Sequence, residues 1–301
     1  MRHRSPHLGR CLSRRRRLDP IARCQRARLD LQHAIVTQAV VFGRLHDLFA
    51  VQRDASGREV VYIIEANPRA SRTVPFVAKA TGQPLARIAT RLMTGESLEQ
   101  VGLLSEPVPP LQAVKEAVLP FRRFPGADSL LGPEMRSTGE VMGSAADFGM
   151  AYAKAELGAG DGLPTSGTVF LSTHDRDKPA LVPIAARLID LGFQINATAG
   201  TSTVLADAGI AVTPVLKVHE GRPNIEDLIR SGSVQLVINT PIGRQAAHDD
   251  RYIRRAALDY NVPTVTTLAA ARAAVEGIDA LQHQQLEIHA LQDVHASTTA
   301  R

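Results

Sequence analysis

Thr168-Val169-Phe170-Leu171-Ser172 and Phe193-Gln194-Ile195-Asn196 open a regular pattern that continues through residues 212–218, 234–239 and Thr264-Val265-Thr266. The runs are short and carry apolar, often β-branched side chains, the composition of a strand. Between and after them lie segments with helical spacing, at 178–191, 201–208, 224–231, 248–260 and 267–276. Three of these stop at a glycine, Gly192, Gly209 and Gly232, the residue that best closes a helix. Strands that alternate with helices require crossover connections and so a parallel sheet. The prediction is an α/β fold in which residues 166–301 form a doubly wound, five-stranded parallel sheet. A domain of about 135 residues is long enough to bury its own core.

Working outward, Leu157-Gly158-Ala159-Gly160-Asp161-Gly162-Leu163-Pro164 reads as a linker, placed at 158–165. Upstream, 47–53 and 59–65 read as two strands joined by a turn at Asp54-Ala55-Ser56-Gly57, and Ala66-Asn67-Pro68-Arg69 as a second turn. Residues 74–95 carry two helical patterns broken at Gly82-Gln83-Pro84. Residues 105–137 are rich in Pro and Gly around an apolar stretch at 113–121, and a helix is predicted over 144–157. The tail 280–296 has helical spacing and mostly polar faces. Residues 45–157 thus form a first, α+β region, and residues 1–44 an atypical tail, disordered or out of frame.

The 301 residues are 44% hydrophobic and 22% charged, a composition that excludes general disorder. No uncharged apolar run approaches the ~18–20 residues of a membrane span. Two cysteines, Cys11 and Cys24, exclude a disulfide scaffold and have no metal-site spacing. The net charge of +5 belongs to the N-terminus: residues 1–28 hold ten arginines and one acid, which leaves 25 bases against 29 acids elsewhere. With 4% aromatic residues and no Trp, stacking platforms for nucleic acid are not indicated. The tail itself is open to three readings: a transit peptide, a basic arm, or a false start or shifted reading frame.

Ligands of open parallel sheets bind outside the carboxyl ends of the strands. Here those ends carry Lys178, Thr198, Thr201, Lys217 and Thr240, with Gly200 between the two threonines and Asn239 beside Thr240. Ammonium groups, hydroxyls and a helix N-terminus together suit a phosphate dianion. Each threonine alone would serve as an ordinary helix cap; their convergence on one edge favours an anion site. No P-loop, no GxGxxG after a strand and no zinc spacing occurs in the chain. In the first region, Glu65 and Asn67 are oxygen donors two residues apart, a spacing that puts both on one side of an extended chain. Such donors suit Mg²⁺ with nucleotide phosphates, and Arg69 could neutralise a phosphoryl group.

The segment Val61–Phe76, with VKEAVLPFRRFPG (114–126), LGPEMRSTGEVMG (131–143), VHEGRP (218–223) and INT (238–240), resembles the carbamoyl-phosphate synthase large subunit. The resemblance runs from about residue 47 to about residue 295 and covers the end of the second ATP-grasp domain plus the methylglyoxal-synthase-like regulatory domain. It implies an ATP-grasp remnant before the doubly wound domain, in a family ligase that makes carbamoyl phosphate from bicarbonate, glutamine-derived ammonia and ATP. It implies Glu65 and Asn67 as ligands of Mg²⁺ or Mn²⁺ bridging ATP, with Arg69 beside them in a catalytic role. A further family ligand, a glutamine, is replaced here by Leu48. It implies Lys178, Thr198, Thr201, Lys217, Asn239 and Thr240 as an allosteric site for the phosphate of UMP or IMP, and Glu116 and Thr266 at an ornithine-type activator site. It also implies a glutaminase small subunit as partner, a cytoplasmic location, and no nucleic-acid or membrane partner.

Three functions follow as expectations. The first is a regulatory fragment, feeding pyrimidine and arginine synthesis in the intact enzyme and inactive alone. The second is one part of a split synthetase completed by another chain. The third is a methylglyoxal synthase-type lyase, disfavoured because that family's catalytic Asp-Pro-Leu is replaced here by Asn239-Thr240-Pro241-Ile242.

Overall fold

The computed structural model describes residues 46–53, 59–67, 73–119, 121, 139–240 and 250–299, with backbone alone for 46–53, 59–67 and 297–299. The chain divides into two compact units, Met1–Val108 and Pro109–Arg301. In the first, β1 (His46–Arg53) and β2 (Glu59–Asn67) form an antiparallel pair that sets Leu48 opposite Glu65, with a register irregularity at Leu48/Phe49. Then come α1 (Thr73–Thr81) and α2 (Leu85–Met93). Gly82 separates them at φ 71°, a conformation that costs glycine no steric penalty. α2 buries Ile88, Ala89 and Leu92, one stripe at helical spacing. A short α3 (Leu98–Val101) follows, closed at its start by a reciprocal Ser97–Gln100 capping box.

The second unit opens with an antiparallel pair, β3 (Gln112–Val118) and β4 (Gly139–Ala145), and with α4 (Phe148–Ala159). The Asp147 side chain accepts from the Met150 N–H at 2.9 Å and so fixes the start of α4. Residues 144 and 145, expected in this helix, belong to β4 instead.

Next come β5 (Thr168–Thr173), α5 (Lys178–Asp190), β6 (Gln194–Ala197), α6 (Ala199–Asp207), β7 (Thr213–Pro214) and α7 (Ile225–Arg230). The chain continues with β8 (Leu236–Thr240), α8 (Arg251–Asp259), β9 (Thr264–Val265), α9 (Leu268–His283) and α10 (Leu291–Thr299).

The five strands form one parallel sheet in the order β7-β6-β5-β8-β9, so the predicted doubly wound α/β domain is present. Its two faces bury separate cores. Val169 and Leu171 of β5 and Leu236 and Ile238 of β8 pack with Leu181, Ile184 and Leu188 of α5, Leu205 of α6 and Ile278 of α9. Phe170 and Val237 point the other way and pack with Ile225 and Ile229 of α7 and with Ile253 and Ala257 of α8. Helices that follow β5 and β6 therefore cover one face, and those that follow β7 and β8 the other. The winding reverses between β5 and β8, which is the topological switch point.

Two boundaries differ from expectation for identifiable reasons. The run 212–218 yields only a two-residue β7. Pro214 has no N–H to continue a ladder, and contact with β6 ends at Val215 N–H donating to Ala197 O, 2.8 Å. The last predicted helix runs on to His283 instead of stopping near 276. Gly277 is there for close packing: a Cβ would lie 2.7 Å from Leu163 Cδ1. Among the described residues, no helix is long and apolar enough to cross a membrane.

Candidate functional site

Period-two alternation sorts the carboxyl ends of β5 and β8. Val169 and Leu171 lie in the core under α5 and α6, so Thr173 lies on that face; Leu236 and Ile238 place Thr240 there too. Thr173 and Thr240 are direct neighbours in the parallel register. Both close the crevice at the switch point.

The helix starts of the same face supply the rest. Thr198 is the N-cap of α6, and its hydroxyl donates to Thr201 Oγ1 at 3.3 Å, with both residues buried. Thr201 Oγ1 also accepts from the Thr173 N–H at 3.4 Å, and Thr240 Oγ1 accepts from the His174 N–H at 3.4 Å. The N–H groups of Ala199 and Gly200, in the first turn of α6, have no intrahelical acceptor. The helix starts two residues earlier than expected, so Thr201 stands inside its first turn.

Lys178 begins α5, and its side chain is only 14% exposed. Its ammonium lies over Gly200, where a Cβ would approach Nζ to 2.9 Å. A cation at a helix N-terminus is disfavoured by the helix dipole, and here Asp175 compensates it through a 2.6 Å ion pair. The hydrogen bond and charge of Lys178 hold the Asp175 carboxyl below the usual carboxylate range. Lys178, Thr198, Thr201, Thr240 and Thr173 therefore share one edge of one face. Sequence reasoning passed over Thr173 because it followed charges and helix starts. Alternation from Val169 would have found it.

Two other residues expected at this site are Lys217 and Asn239. Lys217 follows β7 at the same edge of the sheet, with its N–H donating to Glu220 Oε2 at 2.7 Å. Asn239 points to the opposite face and is fully buried. Its amide donates to Asp250 Oδ2 at 2.9 Å and to Ser172 O at 3.3 Å, and Arg254 Nη1 donates to its oxygen at 3.4 Å. It supports the edge from beneath.

Glu116, half-buried in β3, accepts from the Ala117 N–H at 3.0 Å. Thr266 is half-buried just past β9. No hydrogen bond or ion pair among the described residues joins the two. Glu116 instead faces Tyr152 and Glu156 of α4. Burial raises the Glu156 carboxyl to about 7, and Glu116 and Asp161 add to the rise while the Tyr152 hydroxyl opposes it. Burial and the Glu156 and Glu116 carboxylates push the Tyr152 phenol up.

Glu65 and Asn67 both lie in β2, and the register puts Leu48 opposite Glu65. Leucine offers no donor, so this strand pair carries two of the three expected metal ligands. Arg69 lies outside the described residues. Among the described residues, no cluster of three His, Cys, Asp or Glu side chains could hold a metal ion.

Residues 180–266 match the MGS-like domain, and residues 33–101 match the ATP-binding domain of the carbamoyl-phosphate synthase L chain. The second match begins upstream of residue 47, where the resemblance was read. The doubly wound domain is thus of the MGS-like class. The chain is 57% identical over 254 residues to the carbamoyl phosphate synthase large chain of Synechocystis sp. and 54% identical over 253 residues to that of Nostoc sp.. Each comparison covers 84% of this chain and 23% of the relative. That of Acidobacterium capsulatum is 53% identical over 275 residues, covering 89% of this chain and 24% of the relative. The sequence therefore corresponds to the C-terminal portion of carbamoyl phosphate synthase large chains. The chain spans about a quarter of the length of these relatives.

Proposed function

We propose that the parallel-sheet domain is an allosteric receptor for a nucleoside monophosphate of the UMP or IMP class, and that it holds the ligand's phosphate at the carboxyl edge between β5, β6 and β8. The observation that carries this reading is the seating of the Lys178 ammonium over Gly200, beside the paired hydroxyls of Thr198 and Thr201. A dianion placed there meets a cation, hydroxyl donors and the positive end of α6 at once. Lys217, at the end of the neighbouring strand, adds a second positive charge, and Asn239 holds the edge in place.

In the whole enzyme this domain regulates ATP-dependent carbamoyl phosphate formation from bicarbonate and glutamine-derived ammonia, with a glutaminase small subunit as partner. Glu65, Asn67 and Arg69 belong to the ATP site of that enzyme, where Mg²⁺ or Mn²⁺ supplies charge neutralisation of the phosphates. With Leu48 in a ligand position, this chain alone holds the metal weakly and turns nothing over. Asn239, amide in place of a carboxylate base, argues against triose-phosphate lyase chemistry.

The test is calorimetric titration of the full chain with UMP and IMP. Thr201→Val and Lys217→Ala each weaken binding by about 1–3 kcal/mol, or ~5–150-fold. Unchanged affinity in both variants overturns the site.

A second reading draws on exposed apolar side chains in the first unit. Leu104 and Val108 are 76% and 80% exposed, and Met93 and Leu98 are exposed as well. Such a surface fits a partner chain that completes the ATP-binding domain. Co-expression with an upstream ATP-grasp segment restores ATP-dependent carbamoyl phosphate formation if this holds; no rescue rejects it.

A further inference from the structure

We propose that Thr173 is a further ligand of the bound phosphate, its hydroxyl donating directly to a phosphate oxygen. This deepens the nucleotide reading and rests on it. The Thr173 hydroxyl oxygen is buried and has no hydrogen-bond partner among the described residues. A buried hydroxyl without a partner is a net cost to the folded protein. Valine has the same shape and would fill the same space without that cost.

The position of the hydroxyl tells what it serves. Thr173 ends β5 at the switch point, register-paired with Thr240 across the crevice. Its own N–H donates to Thr201 Oγ1, which locks its backbone against the first turn of α6. Alternation turns its side chain to the face of Lys178, Thr198 and Thr201. A β-branched residue on a strand has few rotamers, so the hydroxyl has little freedom to seek a carbonyl elsewhere. It differs from its neighbours in this respect. The Thr201 and Thr240 hydroxyls both accept backbone N–H groups in the free protein, whereas the Thr173 hydroxyl keeps its hydrogen-bonding capacity for a ligand. A phosphate oxygen is an acceptor of the charge that makes such a bond strong.

The experiment compares Thr173→Val, Thr173→Ser and Thr201→Val in the full chain, titrated with UMP and with inorganic phosphate and melted without ligand. Thr173→Val is expected to weaken both ligands about 10-fold, while Thr173→Ser stays within about 3-fold of the parent. The ligand-free melting temperature of Thr173→Val stays equal or rises, because an unpartnered hydroxyl has been removed. Three results overturn the proposal. Parental affinity in Thr173→Val, with Thr201→Val weakened, removes Thr173 and leaves the site standing. A fall in the ligand-free melting temperature of Thr173→Val assigns the residue a structural role. Absence of binding by the parent chain rejects the nucleotide reading itself, and this inference with it.

Discussion

The two faces of the parallel sheet treat buried polar groups in opposite ways. Under α8, Asn239, Asp250 and Arg254 are almost fully buried and satisfy one another, with Ser172 O completing the set. Under α5 and α6, the Thr173 hydroxyl has no partner among the described residues, and Lys178 leans on a carboxylate that is 87% exposed. A closed network holds a fold together and has nothing to offer a ligand. An incomplete one costs stability and keeps its donors ready. Asn239 and Thr240 are neighbours in sequence, yet they fall on opposite sides of this division.

The largest effect that could break the comparison lies on the closed side. Arg254→Ala removes a long side chain that is 1% exposed and leaves the Asn239 oxygen short of a donor. Denaturant unfolding should show a loss of about 3 kcal/mol. A loss under 1 kcal/mol would mean that this network is not what holds the second face.

The next effect is pH-dependent and sits at the margin of the open face, where Tyr152 joins the core. The Glu156 carboxyl is raised to about 7 in the folded chain, chiefly by burial. The folded protein therefore binds a proton that the unfolded chain releases near the ordinary carboxylate value. Its stabilising contribution is complete below the unfolded value and is lost as pH rises through about 7. Glu156→Gln should stabilise the chain by about 1–2 kcal/mol at pH 8 and by little at pH 4. Thermal melts across that range check this, and an equal shift at both ends would refute the assignment.

The smallest effect sharpens the open side. Asp175 occupies the Lys178 ammonium that the proposed phosphate would meet. Asp175→Asn removes a competing charge and should raise affinity for inorganic phosphate about 2–3-fold at low salt, with the gain fading at high ionic strength. Weaker binding in that variant would show that Asp175 positions Lys178 for the ligand and does not compete with it.

Much of this was legible in the residues. The alternation of apolar runs with helical segments exposed the parallel sheet, and charge and hydroxyl types at the strand ends drew attention to Lys178, Thr198, Thr201 and Thr240. The strand Gly139–Ala145 was not expected: its two glycines, Gly139 and Gly143, interrupt any apolar alternation. Gly143 is there because a Cβ would meet Ala151 O at 2.0 Å, a contact formed only once β4 lies under α4. Similarly, the helix expected over 267–276 continues through Gly277, whose missing Cβ leaves room for Leu163.

Within the parallel-sheet domain, local sequence settled which segments become strands and helices, because backbone propensity and apolar period act over a few residues. It also settled that cations and hydroxyls gather at one end of the sheet, since that end follows from the direction of every parallel strand. Which hydroxyls meet each other, which amide is sealed beneath them and which donor is left over depended on contacts between residues far apart in the chain. Those contacts exist only when the faces of the sheet are covered, so only the tertiary structure could decide them.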